Sequence, residues 1–184
     1  MYISCKLKAG IAHERMNVKI IKTETSEQVE ALIREGKISE MPSIQDGWRF
    51  NFDKELRKLK YATGYILVTE ETPDVIEGCM IFQLIDNKEP YLAMVEIAPH
   101  NKKDIRRHER VAGCLIAYAY KQSIIQGKGD FKAMLQLDVL EENKEDEIRL
   151  MKLYSNKYNA QRWGDTTMVI MDEHGESLIG KYLS

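Results

Sequence analysis

The stretch from residue 91 to residue 126 constrains the fold more than any other part of the chain. Its first positions alternate between apolar and polar residues, which predicts a strand, and a largely apolar run from Cys114 to Ile125 predicts a buried helix. The loop between them carries five basic residues, Lys102, Lys103, Arg106, Arg107 and Arg110. Because a helix N-terminus offers unpaired N–H groups and partial positive charge, this order predicts a site for phosphate. A solvated charged loop in front of a core helix is the alternative.

Length and composition predict a single globular domain. We expect residues 16–184 to form this domain and residues 1–15 to be a poorly ordered extension, with Met16 as an alternative start. The net charge of −2 gives no general attraction for nucleic acid or an acidic membrane surface. Three scattered cysteines without a CxxC pair indicate free thiols, and no run approaches the ~20 apolar residues of a membrane span. These features predict a cytoplasmic protein without a zinc site.

Hydrophobic periodicity predicts alternating strands and helices along the rest of the chain. A strand begins at Met16, an amphipathic helix follows over 25–36, and a short helix carries Leu56 and Leu59. Further elements are strands at 63–69, 75–85, 91–98 and 131–140, helices at 110–126 and after the acidic stretch 141–146, and a final hairpin with strands 166–171 and 177–183 around a turn at 172–175. This order predicts an α/β (mixed α+β) domain, in which helices cover one sheet.

Three short motifs occur in a characteristic order on these elements. Val95-x-Ile97-x-Pro99 lies on the third meander strand, Arg110-Val-Ala-Gly113 precedes the long helix, and Leu153-Tyr154 lies on the late helix. Over residues 16–183 the chain resembles the GNAT superfamily of N-acetyltransferases, which use acetyl-CoA. The resemblance implies a central, mostly antiparallel sheet flanked by helices. It also implies that residues 174–183 form the closing strand of the chain.

The resemblance implies a set of site residues. Acetyl-CoA would be the co-substrate, with no metal ion, and its diphosphate and pantetheine would contact Ile97, Ala98, Pro99, Arg107, Arg110, Val111, Ala112, Gly113 and Cys114. A backbone N–H near Ile97 would stabilise the oxyanion. Tyr154 would protonate the leaving thiolate, and Glu96 would accept the proton of the amine. The competing interpretations are that Tyr154 is a core residue, Glu96 a salt-bridged strand residue, and Gly113 a site of close helix packing.

Several positions depart from the family pattern. Leu115 stands where the family prefers Gly or Ala, the loop between Pro99 and Gly113 is long, and Asn143 lies too early to match the usual Asn. We therefore predict an N-acetyltransferase in which a primary amine attacks acetyl-CoA directly in a ternary complex. The alternative is a non-catalytic GNAT-like acyl-CoA-binding or regulatory module.

Other partners are less favoured by the sequence. A third option is that the basic loop binds nucleic acid, whose contacts would depend strongly on salt. No membrane partner is expected, and a homodimer stays open. Three aromatic residues between the first two predicted helices suit either acceptor recognition or core packing: Trp48, Phe50 and Phe52.

Overall fold

The computed structural model describes residues 15–184, and the predicted extension 1–15 lies outside them except for its last residue. The strands are β1 (Arg15–Lys22), β2 (Glu27–Glu35), β3 (Ala62–Thr69), β4 (Ile76–Ile85), β5 (Glu89–Ile97), β6 (His108–Glu109), β7 (Met134–Asp138), β8 (Gln161–Arg162) and β9 (Thr167–Met171). The helices are α1 (Phe52–Lys58), α2 (Val111–Gln126), α3 (Lys144–Tyr158) and α4 (Asp172–Tyr182). Short 3-10 turns occur at Ile38–Glu40, Ile44–Asp46, Pro99–Asn101 and Gly129–Phe131.

The strands form one sheet in the order β6-β1-β2-β3-β4-β5-β7-β9-β8. Neighbouring strands run antiparallel except β5 and β7, which are parallel. One face packs against α2, α3 and α4, and the other packs against α1 and the loop before it. The meander β3–β5, the helices α1, α2 and α3, and the strand β7 lie where the sequence predicts them, and the mixed α/β class is confirmed.

The predicted helix over 25–36 is wrong, because residues 27–35 form strand β2. The apolar residues Val29, Ala31 and Ile33 alternate along this strand, and each pairs with a residue of β1. Ile33 is fully buried, so one face of the hairpin contributes to the core beneath α2. Ser26, in the turn between the strands, has a positive φ of 58° that suits a tight reversal of the chain. The same apolar residues fit a helical spacing almost as well, and strand pairing decides the outcome.

The first strand of the predicted closing hairpin is present as β9, but its turn and second strand are wrong, because residues 172–182 form helix α4. The closing strand that the resemblance implied at residues 174–183 is wrong for the same reason. Its buried residues Gly175, Leu178 and Tyr182 recur every three or four positions, as one face of a helix requires. Helix α4 lies against α2 through two reciprocal contacts. A Cβ atom on Gly175 would lie 2.0 Å from the Tyr120 ring of α2, and a Cβ atom on Gly113 would lie 2.2 Å from the Tyr182 ring. Each tyrosine therefore fills the space left by a glycine on the other helix.

Candidate active site

Strands β5 and β7 separate after a single point of pairing. Within residues 15–184 they pair at Tyr91 and Gln136, and the two strands diverge beyond that point. A cavity of about 340 Å³ lies between them, which we call the strand cavity. Its walls come from both strands, from the loop before α1 and from α3, and include Arg49, Phe50, Val95, Asp138, Glu141, Leu150 and Tyr154.

Some backbone N–H groups of β5 face the gap, because they are not used in pairing with β4 on the other side of the strand. The Ala98 N–H donates to the Glu77 carbonyl of β4 at 2.9 Å. In an antiparallel pair, N–H groups of successive residues point alternately toward and away from the partner strand. The N–H groups of Val95 and Ile97 are therefore directed away from β4, to the side from which β7 has separated. An extended ligand in the gap can hydrogen-bond to them.

A second cavity, of about 210 Å³, lies in front of the first turn of α2, and we call it the helix cavity. Its basic residues are Arg106, His108, Arg110 and Lys157, and its other walls include Ile97, Val111, Ala112, Gly113 and Tyr182. Arg110 precedes the helix with a positive φ of 72°, which turns the loop sharply into α2. Unpaired N–H groups of a first helical turn, three cationic side chains and a histidine together suit a phosphate group.

The structure brings together part of the predicted cofactor set. Ile97, Arg110, Val111, Ala112 and Gly113 line the helix cavity. Ala98 and Pro99 line a different cavity beside Trp48, Arg107 is exposed, and neither Arg107 nor Cys114 is among the residues that line the helix cavity. Cys114 is buried within α2, and this burial raises the pKa of its thiol to about 12.

Two glycines near α2 serve close packing, and one of them accommodates the unusual Leu115. A Cβ atom on Gly78 of β4 would lie 2.8 Å from a methyl group of Leu115 and 2.6 Å from one of Val111. Leu115 therefore points toward the sheet and does not narrow the helix cavity. Gly113 is required by the Tyr182 ring, as the packing interpretation predicts. Its backbone still contributes to the cavity wall.

Glu96 is a buried carboxylate with partners on two sides. Both of its oxygens accept hydrogen bonds from the Arg49 backbone N–H, at 2.9 and 3.1 Å. The Lys102 ammonium donates to Glu96 Oε1 at 2.9 Å. Lys102, one of the five basic loop residues, therefore pairs with Glu96. Because its carboxylate lies on the face of β5 opposite α2, Glu96 is close to the loop before α1.

An ion pair crosses the opening of the strand cavity. The Arg49 guanidinium donates two hydrogen bonds to the Glu141 carboxylate, at 3.0 and 2.8 Å. This pairing lowers the pKa of Glu141 and raises that of Arg49. Arg49 comes from the loop before α1 and Glu141 from the segment after β7, so the pair joins the two walls of the cavity.

Tyr154 lines the strand cavity, whereas Tyr158 does not. Burial, and then the charge of Glu141, raise the pKa of Tyr154 to about 12. Tyr158 lies one turn later in the core, where its ring centroid is 6.3 Å from that of Tyr182. Of the two tyrosines on this face of α3, Tyr154 is the one that a ligand in the strand cavity can meet. Ile148, near the start of the same helix, is exposed.

A group of residues that the sequence did not single out fastens the basic loop. Glu77, buried on β4, accepts hydrogen bonds through one carboxylate oxygen from Asn101 Nδ2, His100 and His108. Burial acts to raise the pKa of Glu77, but the bonds from Asn101 and His100 and the charge of His108 lower it below its ordinary value. These residues lie up to 31 positions apart in sequence, and no motif links them.

Among residues 15–184, no three His, Cys, Asp or Glu side chains are arranged to hold a metal ion. No helix in this described part of the chain is long and apolar enough to cross a membrane.

Eight chains among the solved structures match this one, and three of them are described here, each at low sequence identity. The KacTA–DNA complex matches with a TM-score of 0.48 and 14% identity, covering 70% of this chain and 79% of that chain. AtaTR bound with AcCoA matches with a TM-score of 0.51 and 14% identity, covering 81% of this chain and 98% of that chain. A GNAT family acetyltransferase from Elizabethkingia anophelis with acetyl-CoA bound matches with a TM-score of 0.44 and 11% identity, covering 76% of this chain and 94% of that chain.

No family model and no curated protein matches the sequence. At these identities a structural likeness concerns the fold. The likeness to AtaTR, with the sheet order and the separated strands described above, confirms the GNAT-like fold that the sequence motifs predicted.

Proposed function

We propose that this protein is an N-acetyltransferase that transfers the acetyl group of acetyl-CoA to a primary amine. The observation that carries the proposal is that two cavities of complementary character lie along the same strand, β5. Ile97 lines the basic helix cavity and Val95, two residues earlier, lines the strand cavity. A cofactor with its diphosphate at α2 can therefore lay its pantetheine arm along β5 and bring its thioester to Tyr154. AtaTR, whose structure is similar to this fold, binds acetyl-CoA in its crystal structure.

The chemistry follows from the groups around the gap. The amine nitrogen attacks the thioester carbon, and a backbone N–H of β5 that faces the gap donates to the developing oxyanion. The proton of the attacking nitrogen passes through water to Glu96, whose carboxylate lies beside Arg49 and not among the residues that line the two cavities. The carbon–sulfur bond then breaks, and the Tyr154 hydroxyl protonates the thiolate. Because the amine attacks acetyl-CoA directly, the enzyme contributes positioning, oxyanion stabilisation and proton transfer, with no covalent intermediate.

A specific observation supports the non-catalytic alternative. Glu96 is already engaged by the Arg49 N–H and by Lys102, and Arg110 donates to the Lys181 carbonyl at the end of α4. Groups committed to structural contacts are less available for a proton or a phosphate. A module that binds acyl-CoA without turnover would need the gap and the helix cavity but neither Glu96 nor Tyr154.

The experiment that separates the two functions is release of the CoA thiol from acetyl-CoA in the presence of a panel of primary amines. The panel contains peptides with a free N-terminus, lysine derivatives, polyamines and amino sugars. An acetyltransferase releases thiol only with its acceptor, and the acetylated product gains one acetyl mass. Saturable acetyl-CoA binding without acceptor-dependent release across the panel would favour the binding module. No binding at all would reject both functions.

A further inference from the structure

The carboxylate of Glu77 is placed under the basic loop by an irregularity in strand β4. Leu67 of β3 pairs with Gly78 and Val68 pairs with Ile76, so Glu77 is the extra residue of a β-bulge. Bulges re-aim side chains and occur next to active sites. The side chain of Glu77 is only 2% exposed. One of its carboxylate oxygens lies within hydrogen-bonding distance of both His100 Nε2, at 2.8 Å, and His108 Nδ1, at 2.9 Å.

The same bulge residue fixes the loop that leads into α2. The Glu77 backbone carbonyl accepts hydrogen bonds from the Ala98 N–H at 2.9 Å and from Asn101 Nδ2 at 3.1 Å. Asn101, which is fully buried, in turn accepts the His108 N–H at 2.8 Å. Both ends of the segment 98–108 are therefore attached to Glu77. The position of the His108 ring is determined by its own backbone bond and by its contact with the carboxylate.

This contact also determines which ring nitrogen of His108 carries a proton. An ionised carboxylate is only an acceptor, so Nδ1 must donate the hydrogen bond to Glu77. The other nitrogen, Nε2, bonds to no residue among 15–184, and the ring lies in the wall of the helix cavity. With its proton on Nδ1, neutral His108 has an acceptor at Nε2 and cannot donate to an anion. Protonated His108 has a donor at Nε2 and carries a positive charge.

We propose that His108, oriented by Glu77, is a phosphate-binding residue of the cofactor site and binds the diphosphate in its protonated form. This inference rests on the proposed function, because it takes the ligand of the helix cavity to be the diphosphate of CoA. Glu77 acts as the positioning residue, and its charge balances the imidazolium when the ligand is bound. Cofactor binding in this form is accompanied by proton uptake at His108.

Other charged or titratable groups surround His108 and also act on a ligand in the helix cavity. They are Glu77 on β4, Lys22 opposite His108 on β1, Arg106, Glu109 and Arg110 on the loop, Lys157 on α3 and the Tyr182 hydroxyl on α4. Arg106, Arg110 and Lys157 are present in both the wild type and His108→Gln, so a comparison of the two proteins isolates the contribution of His108. The 3′-phosphate of CoA, a monoester, also titrates near neutral pH, so the experiment must separate its proton from that of His108.

The chain contains a matched control for His108. His100 donates to the same Glu77 oxygen, but its ring lines the cavity beside Trp48 instead of the helix cavity. His108→Gln and His100→Gln each remove one bond to Glu77, and only the first removes a group from the helix cavity. A loss that merely reflects a loosened loop should appear in both variants.

The experiment is titration calorimetry with two ligands, acetyl-CoA and acetyl-pantetheine, which lacks the diphosphate. His108→Gln should weaken acetyl-CoA binding roughly 10- to 100-fold, the range of one charge-assisted hydrogen bond. It should leave acetyl-pantetheine binding unchanged, and His100→Gln should change the acetyl-CoA affinity less than threefold. Titrations in buffers of different ionisation enthalpy should show that the wild type takes up more protons than His108→Gln. Taking this difference removes the contribution of the CoA phosphates.

The outcomes distinguish this inference from the proposed function. If the wild type binds neither ligand, the proposed function fails. If the wild type binds acetyl-CoA but His108→Gln binds it equally well, or with equal proton uptake, the role of His108 is wrong while the function stands. Equal losses in His108→Gln and His100→Gln would also overturn it, because they would indicate a structural effect. Glu77→Gln, where it folds, should reduce acetyl-CoA affinity and the excess proton uptake together.

Discussion

Tyr154 is held between the apolar wall of the strand cavity and the charge of Glu141, and both raise its pKa, to about 12. The phenol is therefore protonated at neutral pH and can donate to a leaving thiolate. We expect Tyr154→Phe, which removes only the hydroxyl, to lower kcat roughly 10²- to 10⁴-fold with little change in acetyl-CoA affinity. Steady-state kinetics with the identified acceptor measure this effect. Tyr158→Phe is the matched control. A loss of activity in Tyr158→Phe, with full activity in Tyr154→Phe, would show that Tyr154 is not the general acid.

Glu40 should make the free energy of unfolding depend on pH. The Arg34 side chain and then the Lys37 N–H lower the pKa of Glu40 from 4.5 to about 2. Because the folded-state pKa lies below the unfolded value, ionised Glu40 stabilises the fold above pH 4.5, and this contribution is lost as pH falls toward 2.

Urea unfolding at about pH 5 and about pH 3 tests the role of Glu40. The free energy of unfolding should fall less between these two pH values in Glu40→Gln than in the wild type. Glu71→Gln, in the exposed turn between β3 and β4, serves as the control and should follow the wild type. The same pH dependence in Glu40→Gln and the wild type would contradict the role given to the Arg34–Glu40 pair.

Helices α2 and α4 depend on glycines that admit tyrosine rings. A methyl group at Gly175 would lie 2.0 Å from the Tyr120 ring, whereas one at Gly180, also on α4, meets no atom within 4 Å. We expect Gly175→Ala to reduce the free energy of unfolding by about 1–3 kcal/mol, the usual effect of overpacking. Gly180→Ala should leave it unchanged or raise it by about 0.5–1 kcal/mol, because alanine favours a helix. Urea unfolding of both variants measures the difference, and equal effects would contradict the packing described for α4.

Local periodicity predicted most elements, and it failed where two patterns were compatible with the same residues. The segment 27–35 has apolar residues that suit either a helix or a strand, and pairing with β1 selects the strand. The segment 172–182 contains two glycines, which weakened the helical signal, yet one of these glycines is what allows α4 to pack against Tyr120. In both segments the deciding contacts come from residues distant in sequence.

The candidate site shows the same division between local and distant information. The start of α2 was predicted because strand, basic loop, glycine and helix are contiguous in sequence. Glu77 and Arg49 were not predicted as site residues, because their partners His108 and Glu141 lie 31 and 92 positions away. Lys102 was predicted as part of a cation cluster, and the fold pairs it with Glu96. Charge counts along a sequence do not reveal which cations are already paired.

At the scale of the whole molecule, a bound cofactor would connect β5, β7 and α2 and should stabilise the fold. Acetyl-CoA at 100 times its Kd would add about 2.7 kcal/mol by mass action, or about 5–10 °C in Tm for a domain of this size. Arg110→Glu should abolish this shift by placing like charge against phosphate. Lys103→Glu, an equal charge change in the exposed part of the same loop, should retain most of it. Loss of the shift in both variants would indicate a general charge effect instead of a local site.

The central claim is that one ligand spans the helix cavity and the strand cavity along β5. A crystal structure with bound acetyl-CoA tests it most directly. We expect the diphosphate within hydrogen-bonding distance of the first N–H groups of α2, the pantetheine paired with the backbone at Val95 and Ile97, and the thioester sulfur beside the Tyr154 hydroxyl. Acetyl-CoA bound elsewhere, or a diphosphate at α2 with its thioester directed away from the gap between β5 and β7, would contradict the account.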